Sequence, residues 1–211
     1  MVFCESQWAG GWVNFEAYLY SSDPYIRRCW ADAEAAAKGM PAFSQGIRNF
    51  WQRACSTVHE ENPVRLAGWQ VEAAEPGLWI RWLGEGGKSL GRALYLPPEI
   101  VPKGLEGKEN FLFRAEGAPE GWPFSWLLAM APMPGRQERH AGGLLSHLHF
   151  QFSSQRERLF RDGRLCQPAW YATMCDGSGT LLEQCNIIRA LHRLPLWEAL
   201  PPPPAPWAGG R

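Results

Sequence analysis

The sequence has no excess charge of either sign and no concentrated basic segment. Its 211 residues include 21 Lys and Arg against 21 Asp and Glu, so the formal net charge is zero. The longest basic run is the pair Arg27-Arg28. Proteins that bind nucleic acids or anionic membranes need a basic surface, because attraction to phosphate groups supplies much of their affinity. We therefore expect neither nucleic acid nor a membrane among the partners.

An export signal, a membrane-spanning run and closely spaced cysteine pairs are also lacking. The first twenty residues contain Glu5 and Glu16 but no Lys or Arg, unlike a secretory signal. No uninterrupted apolar run approaches the roughly 20 residues that a helix needs to cross a bilayer. We therefore expect a soluble cytoplasmic protein. Its six cysteines, none of them in a C-x-x-C pair, are interpreted as reduced structural thiols.

Apolar and aromatic residues are plentiful. Hydrophobic residues make up 45% of the chain, which is enough to build a packed core and excludes wholesale disorder. The length suits one domain, which we assign to residues 1–199, with the proline-rich residues 200–211 as an extended tail. The twelve tryptophans are the unusual feature, since they can either plug the core or line a cavity for a ligand.

The residue pattern predicts helices towards both ends of a β-rich chain. Asp23 and the proline after it predict a helix over 24–38, and a second helix is predicted over 43–55. Capping-box patterns that begin at Ser154 and Thr180 predict two further short helices. Short apolar segments separated by glycine or proline predict an antiparallel barrel or sandwich. The predicted strands are a hairpin turning at 75–77 and segments near 89–96, 110–116, 124–131, 145–153 and 169–174.

The sharpest chemical pattern is a histidine pair within a predicted strand. Because side chains alternate across a strand, His147, His149 and Gln151 share one face, opposite Leu148, Phe150 and Phe152. If the histidine face looks into a barrel, a divalent metal can bind both imidazoles, with His140 folded back as a third ligand. The alternative is that these histidines are ordinary polar strand residues, hydrogen-bonded to backbone or water.

These residues, taken in chain order, resemble the ZinT (YodA) family of zinc-binding, lipocalin-like proteins. The tryptophan motif at the start, the helix after Asp23, the strand before the metal segment and the single histidine followed by a histidine pair all occur in the family's order. The segments that carry the resemblance are Trp8 to Leu19, Asp23-Pro24, Asn110 to Glu116, Phe124 to Met130, His140, His147-Leu148-His149 and Gln167 to Tyr171.

The resemblance implies a fold and a metal site. The implied fold is α+β and mainly β: a lipocalin-like (calycin) antiparallel barrel with N-terminal helices and a C-terminal helix. The implied site is a three-histidine zinc site at the barrel mouth, formed by His140, His147 and His149. The gap between His140 and the pair is shorter than in the family, and the histidine-rich segment of its exported members is absent. We therefore do not extend periplasmic zinc scavenging to this chain.

Three functions fit this interpretation. The first is intracellular binding of zinc, or another divalent transition metal, for buffering, delivery or sensing. The second is a metal-dependent enzyme acting on a small apolar or aromatic molecule, since three protein ligands leave an open position on the metal. The third is a metal-free carrier of an apolar ligand. Residues expected to line the ligand cavity are Trp79, Trp82, Trp126 and Gln151.

Overall fold

A computed structural model describes residues 3–59, 63–138 and 144–202. Over these ranges it has four α-helices and eleven strands, joined by turns and short 3-10 helices. No helix among the described residues is both long and apolar enough to span a membrane. The helices are α1 (Glu16–Leu19), α2 (Pro24–Ala36), α3 (Ile47–Cys55) and α4 (Leu181–Leu191). The strands are β1 (Gly10–Asn14), β2 (Gly68–Ala74), β3 (Gly77–Leu83), β4 (Ser89–Tyr95), β5 (Glu99–Val101), β6 (Asn110–Arg114), β7 (Trp126–Ala129), β8 (His147–Ser153), β9 (Phe160–Arg161), β10 (Arg164–Leu165) and β11 (Ala172–Asp176).

Nine of the strands form one antiparallel sheet in the order β4-β3-β2-β1-β11-β8-β7-β6-β5, and β9 pairs with β10 separately. The sheet curls until its edge strand β4 meets the end of β6, where Tyr95 and Ala115 form a bridge. Beside that bridge the amide of Glu116 donates to the carbonyl of Leu94 at 2.8 Å. The mainly β, antiparallel architecture expected from the sequence is therefore confirmed, and it is consistent with a lipocalin-like fold.

Capping residues fix where the main helices begin. The Asp23 carboxylate accepts hydrogen bonds from the amides of Tyr25 and Ile26, at 2.8 and 3.1 Å, so α2 starts at the predicted proline. At α4, Thr180 and Glu183 satisfy each other's backbone amides in a complete capping box. A side-chain cap of this kind is typically worth about 1 kcal/mol. Both predicted helix starts are confirmed.

Aromatic side chains fill the inside of the curled sheet. Trp82 stacks on Phe124, with ring centroids 4.4 Å apart and an angle of 12° between the planes. It also meets Trp69 edge-on at 5.0 Å, and its indole N–H donates to the Tyr95 hydroxyl at 2.9 Å. The hydroxyl of Tyr95 in turn donates to the Phe124 carbonyl. A buried indole or phenol needs such partners, so these residues act as core plugs.

Two apolar clusters cover the outer face of the sheet. One packs the helices against the sheet and joins residues such as Phe15, Trp30, Ile188 and Cys175. The other lies under the connection between β5 and β6 and beside β9, and includes Leu105, Leu112, Leu128, Met130 and Leu159. The start of β8 runs between these clusters, and the histidine pair lies there.

Several sequence predictions were incomplete or wrong. The pattern at Ser154 forms no capping box, because the chain instead makes a 3-10 turn at Arg156–Arg158 whose N-cap, Gln155, makes no side-chain cap. Strand β1 was not predicted, although it joins β2 to β11 in the middle of the sheet. Residues 203–211 of the predicted tail lie outside the described residues.

Candidate metal centre

Strand β8 places the two predicted ligands side by side. His147 lies opposite Cys175 of β11, and His149 lies opposite Thr173. The centroids of the two imidazole rings are 5.8 Å apart, with 75° between their planes. The sequence prediction that the two rings share one face of a strand is confirmed.

That face, however, is not the one that looks into the barrel. Leu148, Phe150 and Phe152 belong to the aromatic cluster inside the curled sheet, where Phe150 meets Trp69 with a centroid distance of 4.7 Å. The histidines therefore lie on the outer face, and the inward-facing arrangement considered in the sequence analysis is not formed. The physical reason is that the apolar row of the strand gains more from burial than the row that carries the imidazoles.

Hydrogen bonds on the far side of each ring determine which nitrogen carries the proton. The hydroxyl of Thr173 donates its only proton to the Tyr171 carbonyl at 2.8 Å, so it can only accept from Nδ1 of His149, also at 2.8 Å. Nδ1 of His147 lies 3.3 Å from the carbonyl of Leu145, which also only accepts. For a neutral ring, these contacts favour the tautomer that is protonated at Nδ1. Each Nε2 keeps an unprotonated lone pair, the form in which imidazole binds a metal.

A carboxylate faces the histidine pair from the connection between β5 and β6. Oε1 of Glu106 lies 3.4 Å from Nε2 of His149. The other oxygen, Oε2, accepts from the Lys108 ammonium at 2.7 Å. The side chains of His149 and Glu106 are 14% and 35% exposed, so the group lies near the surface and an ion can reach it.

The charge states at neutral pH suit metal binding. Burial lowers the pKa of His149 to about 4, helped by its neighbour His147. Burial likewise lowers the pKa of His147. For Glu106, burial acts to raise the pKa, but the hydrogen bond and the positive charge of Lys108 act in the opposite direction, and the pKa is lowered overall. Two neutral imidazoles and one ionised carboxylate are the states in which these groups act as metal ligands.

A solved structure shares this fold. The zinc-bound ZinT-like domain of AdcA from Streptococcus pneumoniae matches 91% of this chain and 91% of that chain, with 14% sequence identity and a TM-score of 0.52. This chain has the fold of a ZinT-like domain. The resemblance expected from the sequence is thus confirmed at the level of the fold, which is all that so low an identity establishes. No protein-family profile and no curated protein sequence matches the chain.

The third ligand predicted for this ZinT-like fold, His140, lies outside the described residues. Within the described ranges, no group of three or more His, Cys, Asp and Glu side chains is arranged to hold a metal ion as it stands. The pair His147 and His149 with the nearby Glu106 therefore does not form a metal site by itself.

The residues expected to line a ligand cavity are not brought together. Trp82 plugs the interior, whereas Trp79 lies on the outer face of β3, 36% exposed, with the Arg92 guanidinium 4.6 Å from its ring centroid. Trp126 lines an open surface groove of about 390 Å³ with Arg114. The shared cavity expected from the sequence is therefore not formed, because Trp79 and Trp82 point to opposite faces of one strand.

Gln151, the fourth residue of that set, supports the chain near the histidines. It is fully buried, and its amide donates to the carbonyls of Gln167 and Trp170, both at 2.7 Å. These bonds hold the segment that leads into β11, and so they position Tyr171 and Thr173 beside His149. Sequence reasoning did not find Thr173 or Glu106, because only the folded sheet brings them next to β8.

Proposed function

We propose that the protein binds a divalent metal ion, zinc in the first place, through His147 and His149, with His140 as the third ligand. The observation that carries the proposal is the pair of imidazole rings on one face of β8, each with its Nδ1 against an oxygen of the protein, the Leu145 carbonyl or the Thr173 hydroxyl. Such outer hydrogen bonds fix the orientation and the tautomer of metal-binding histidines. The likeness to the zinc-bound ZinT-like domain supports zinc as the ion.

The donor set fits the proposed ion. Zinc is commonly bound by three imidazole nitrogens, with the fourth tetrahedral position left for water or another ligand. When bound, zinc supplies Lewis acidity and lowers the pKa of a bound water. The protein's own contribution is to keep both imidazoles neutral through burial, to orient them through Thr173 and Leu145, and to leave the group open to solvent on one side.

The proposal also includes the fold type, the domain extent and the location that are predicted from the sequence. We infer a lipocalin-like (calycin) barrel in a single domain over residues 1–199, located in the cytoplasm, where its thiols stay reduced. Trp82 and its aromatic neighbours occupy the interior that a carrier would need for an apolar ligand. This packing favours metal binding over the carrier hypothesis.

Equilibrium dialysis of the metal-free protein against zinc, with elemental analysis, tests the proposal. Wild type is expected to bind one equivalent, and H147A and H149A are each expected to lose most of the affinity. H192Q is the matched control, because His192 lies at the end of α4, where Trp51 donates to its Nε2 at 2.8 Å. Equal zinc binding by all four proteins would refute the proposal.

The role of His140 needs its own variant. H140A is expected to weaken zinc binding while leaving the unfolding temperature of the metal-free protein unchanged, if the imidazole serves only as a ligand. Zinc binding by H140A equal to that of wild type would remove His140 from the ligand set and leave the other two histidines in place.

A further inference from the structure

Two hydrogen-bond acceptors face each other at the histidine pair. Because the Thr173 hydroxyl gives its proton to Tyr171, it must receive the Nδ1 proton of His149, which leaves Nε2 of the neutral ring with a lone pair. The atom opposite that lone pair is a carboxylate oxygen of Glu106, 3.4 Å away. Two such atoms face each other at this distance only when a cation lies between them, either the proton of an imidazolium in an ion pair with Glu106 or a metal ion.

The Glu106 side chain is held in this position by the turn that carries it. The buried side chain of Asn110 accepts from the Leu105 amide at 2.7 Å and donates to the Glu109 carbonyl at 2.8 Å. The Gly104 amide closes the turn by donating to the Lys108 carbonyl at 2.8 Å. These hydrogen bonds connect the turn to the start of β6.

The backbone of Glu106 is unusual for its residue type. Its φ of +55° lies in the left-handed region, which favours glycine, although glycine follows it directly. Residues kept in such a conformation are concentrated at functional sites, where the surrounding contacts hold them. In this turn the Glu106 carboxylate lies beside β8, with Oε1 3.4 Å from Nε2 of His149.

The distance between the facing atoms matches a shared metal ion. Zinc lies about 2.0–2.2 Å from nitrogen and oxygen ligands, so two donors of a tetrahedral centre are about 3.3–3.5 Å apart. The observed separation of Nε2 of His149 and Oε1 of Glu106 is 3.4 Å. Lys108 occupies the other carboxylate oxygen, which leaves Oε1 as the available donor.

We propose that Glu106 is a ligand of the same centre, so that the ion is held by a mixed set of imidazoles and one carboxylate. This inference rests on the proposed function and adds to it an anionic ligand from outside the histidine segment. A mixed set of imidazoles and one carboxylate also suits cobalt(II), iron(II) and manganese(II), whereas an all-sulfur site would select soft ions. We therefore expect the centre to accept these ions as well as zinc.

The test compares E106Q with E109Q, which makes the same charge change at an exposed position of the same turn. Zinc affinity is measured by competition with a chromophoric chelator, and the ligand set is read from the visible absorption spectrum of the cobalt(II) form. E106Q is expected to weaken zinc binding by about tenfold or more and to shift the cobalt bands. E109Q is expected to match wild type in both measurements.

Further variants keep the two proposals distinguishable. If H147A and H149A lose zinc while E106Q keeps wild-type affinity and spectrum, the Glu106 inference fails and the proposed function stands. If all three bind as wild type does, both fail. Weaker binding by E106Q with an unchanged cobalt spectrum would show that the carboxylate acts only through its charge, and would also overturn its role as a ligand. E106H, which replaces one donor by another, is expected to recover part of the lost affinity.

Discussion

The hydroxyl of Thr173 connects the fold to the proposed metal site, and T173V tests that connection. Valine has nearly the same shape as threonine but cannot accept from Nδ1 of His149 or donate to the Tyr171 carbonyl. Thr173 is 3% exposed, so water does not readily replace the hydroxyl. Two hydrogen bonds worth about 0.5–1.5 kcal/mol each are lost, and buried polar atoms lose their partner. We expect the free energy of unfolding to fall by about 2–3 kcal/mol.

The same substitution is expected to weaken metal binding. Without its outer hydrogen bond, the His149 ring is free to rotate and to place its proton on either nitrogen. Loss of such a partner typically lowers metal affinity by about 10–100-fold. Urea unfolding in the presence of a chelator gives the stability of the metal-free protein, and zinc competition at a temperature where the variant is folded gives the affinity.

T173S is the matched control for these measurements. Serine keeps the hydroxyl but removes a buried methyl, which costs about 1 kcal/mol of stability. We therefore expect T173S to bind zinc like wild type despite its lower stability. If T173V and T173S bind zinc equally well, the hydroxyl does not orient the His149 ring, and the tautomer reasoning for the site is refuted.

Three further outcomes are expected from the structure. Since the folded-state pKa of His149, about 4, lies below its unfolded value, the metal-free protein should lose up to about 3 kcal/mol of stability as pH falls from about 6.5 to 4. H149Q should reduce this pH-dependent loss of the free energy of unfolding, as measured by urea unfolding at each pH. W82A should lower the free energy of unfolding by about 3–5 kcal/mol, because it empties the centre of the aromatic interior. D23A should cost about 1 kcal/mol through loss of the α2 cap, and D23N should restore most of it; equal stability of D23A and wild type would contradict the capping role.

Local sequence patterns predicted those features of the fold that depend only on residues close together in the chain. The alternation around His147 and His149 was enough to place both rings on one side of a strand, and Asp23 was enough to start α2. Which side of the strand faces the core depends on the whole sheet. Within the strand itself, the row formed by Leu148, Phe150 and Phe152 favoured the inner face, since burying three large apolar side chains contributes more than burying two imidazoles.

Contacts between distant parts of the chain could not be predicted in this way. Glu106 belongs to a short glycine-rich turn, Gly104 to Gly107, which by itself indicates only a loop. It reaches His149 because β6, β7 and β8 are neighbours in the sheet and the turn before β6 folds over their outer face. Strand β1 was missed for a related reason, since its sequence, which begins with two glycines, shows no clear alternation, and only its pairing with β2 and β11 makes it a strand.

The outer position of the histidine pair separates metal binding from the stability of the core. Trp82 and the other interior aromatics contribute to folding but do not touch the His149 ring, whereas Thr173 and Glu106 contact that ring and lie on the opposite side of the sheet. An ion bound at these side chains can enter and leave through the exposed edge near Glu106 without opening the barrel. Exchange of the metal should therefore need only movement of side chains and of one turn, and its rate should not depend on global unfolding of the sheet.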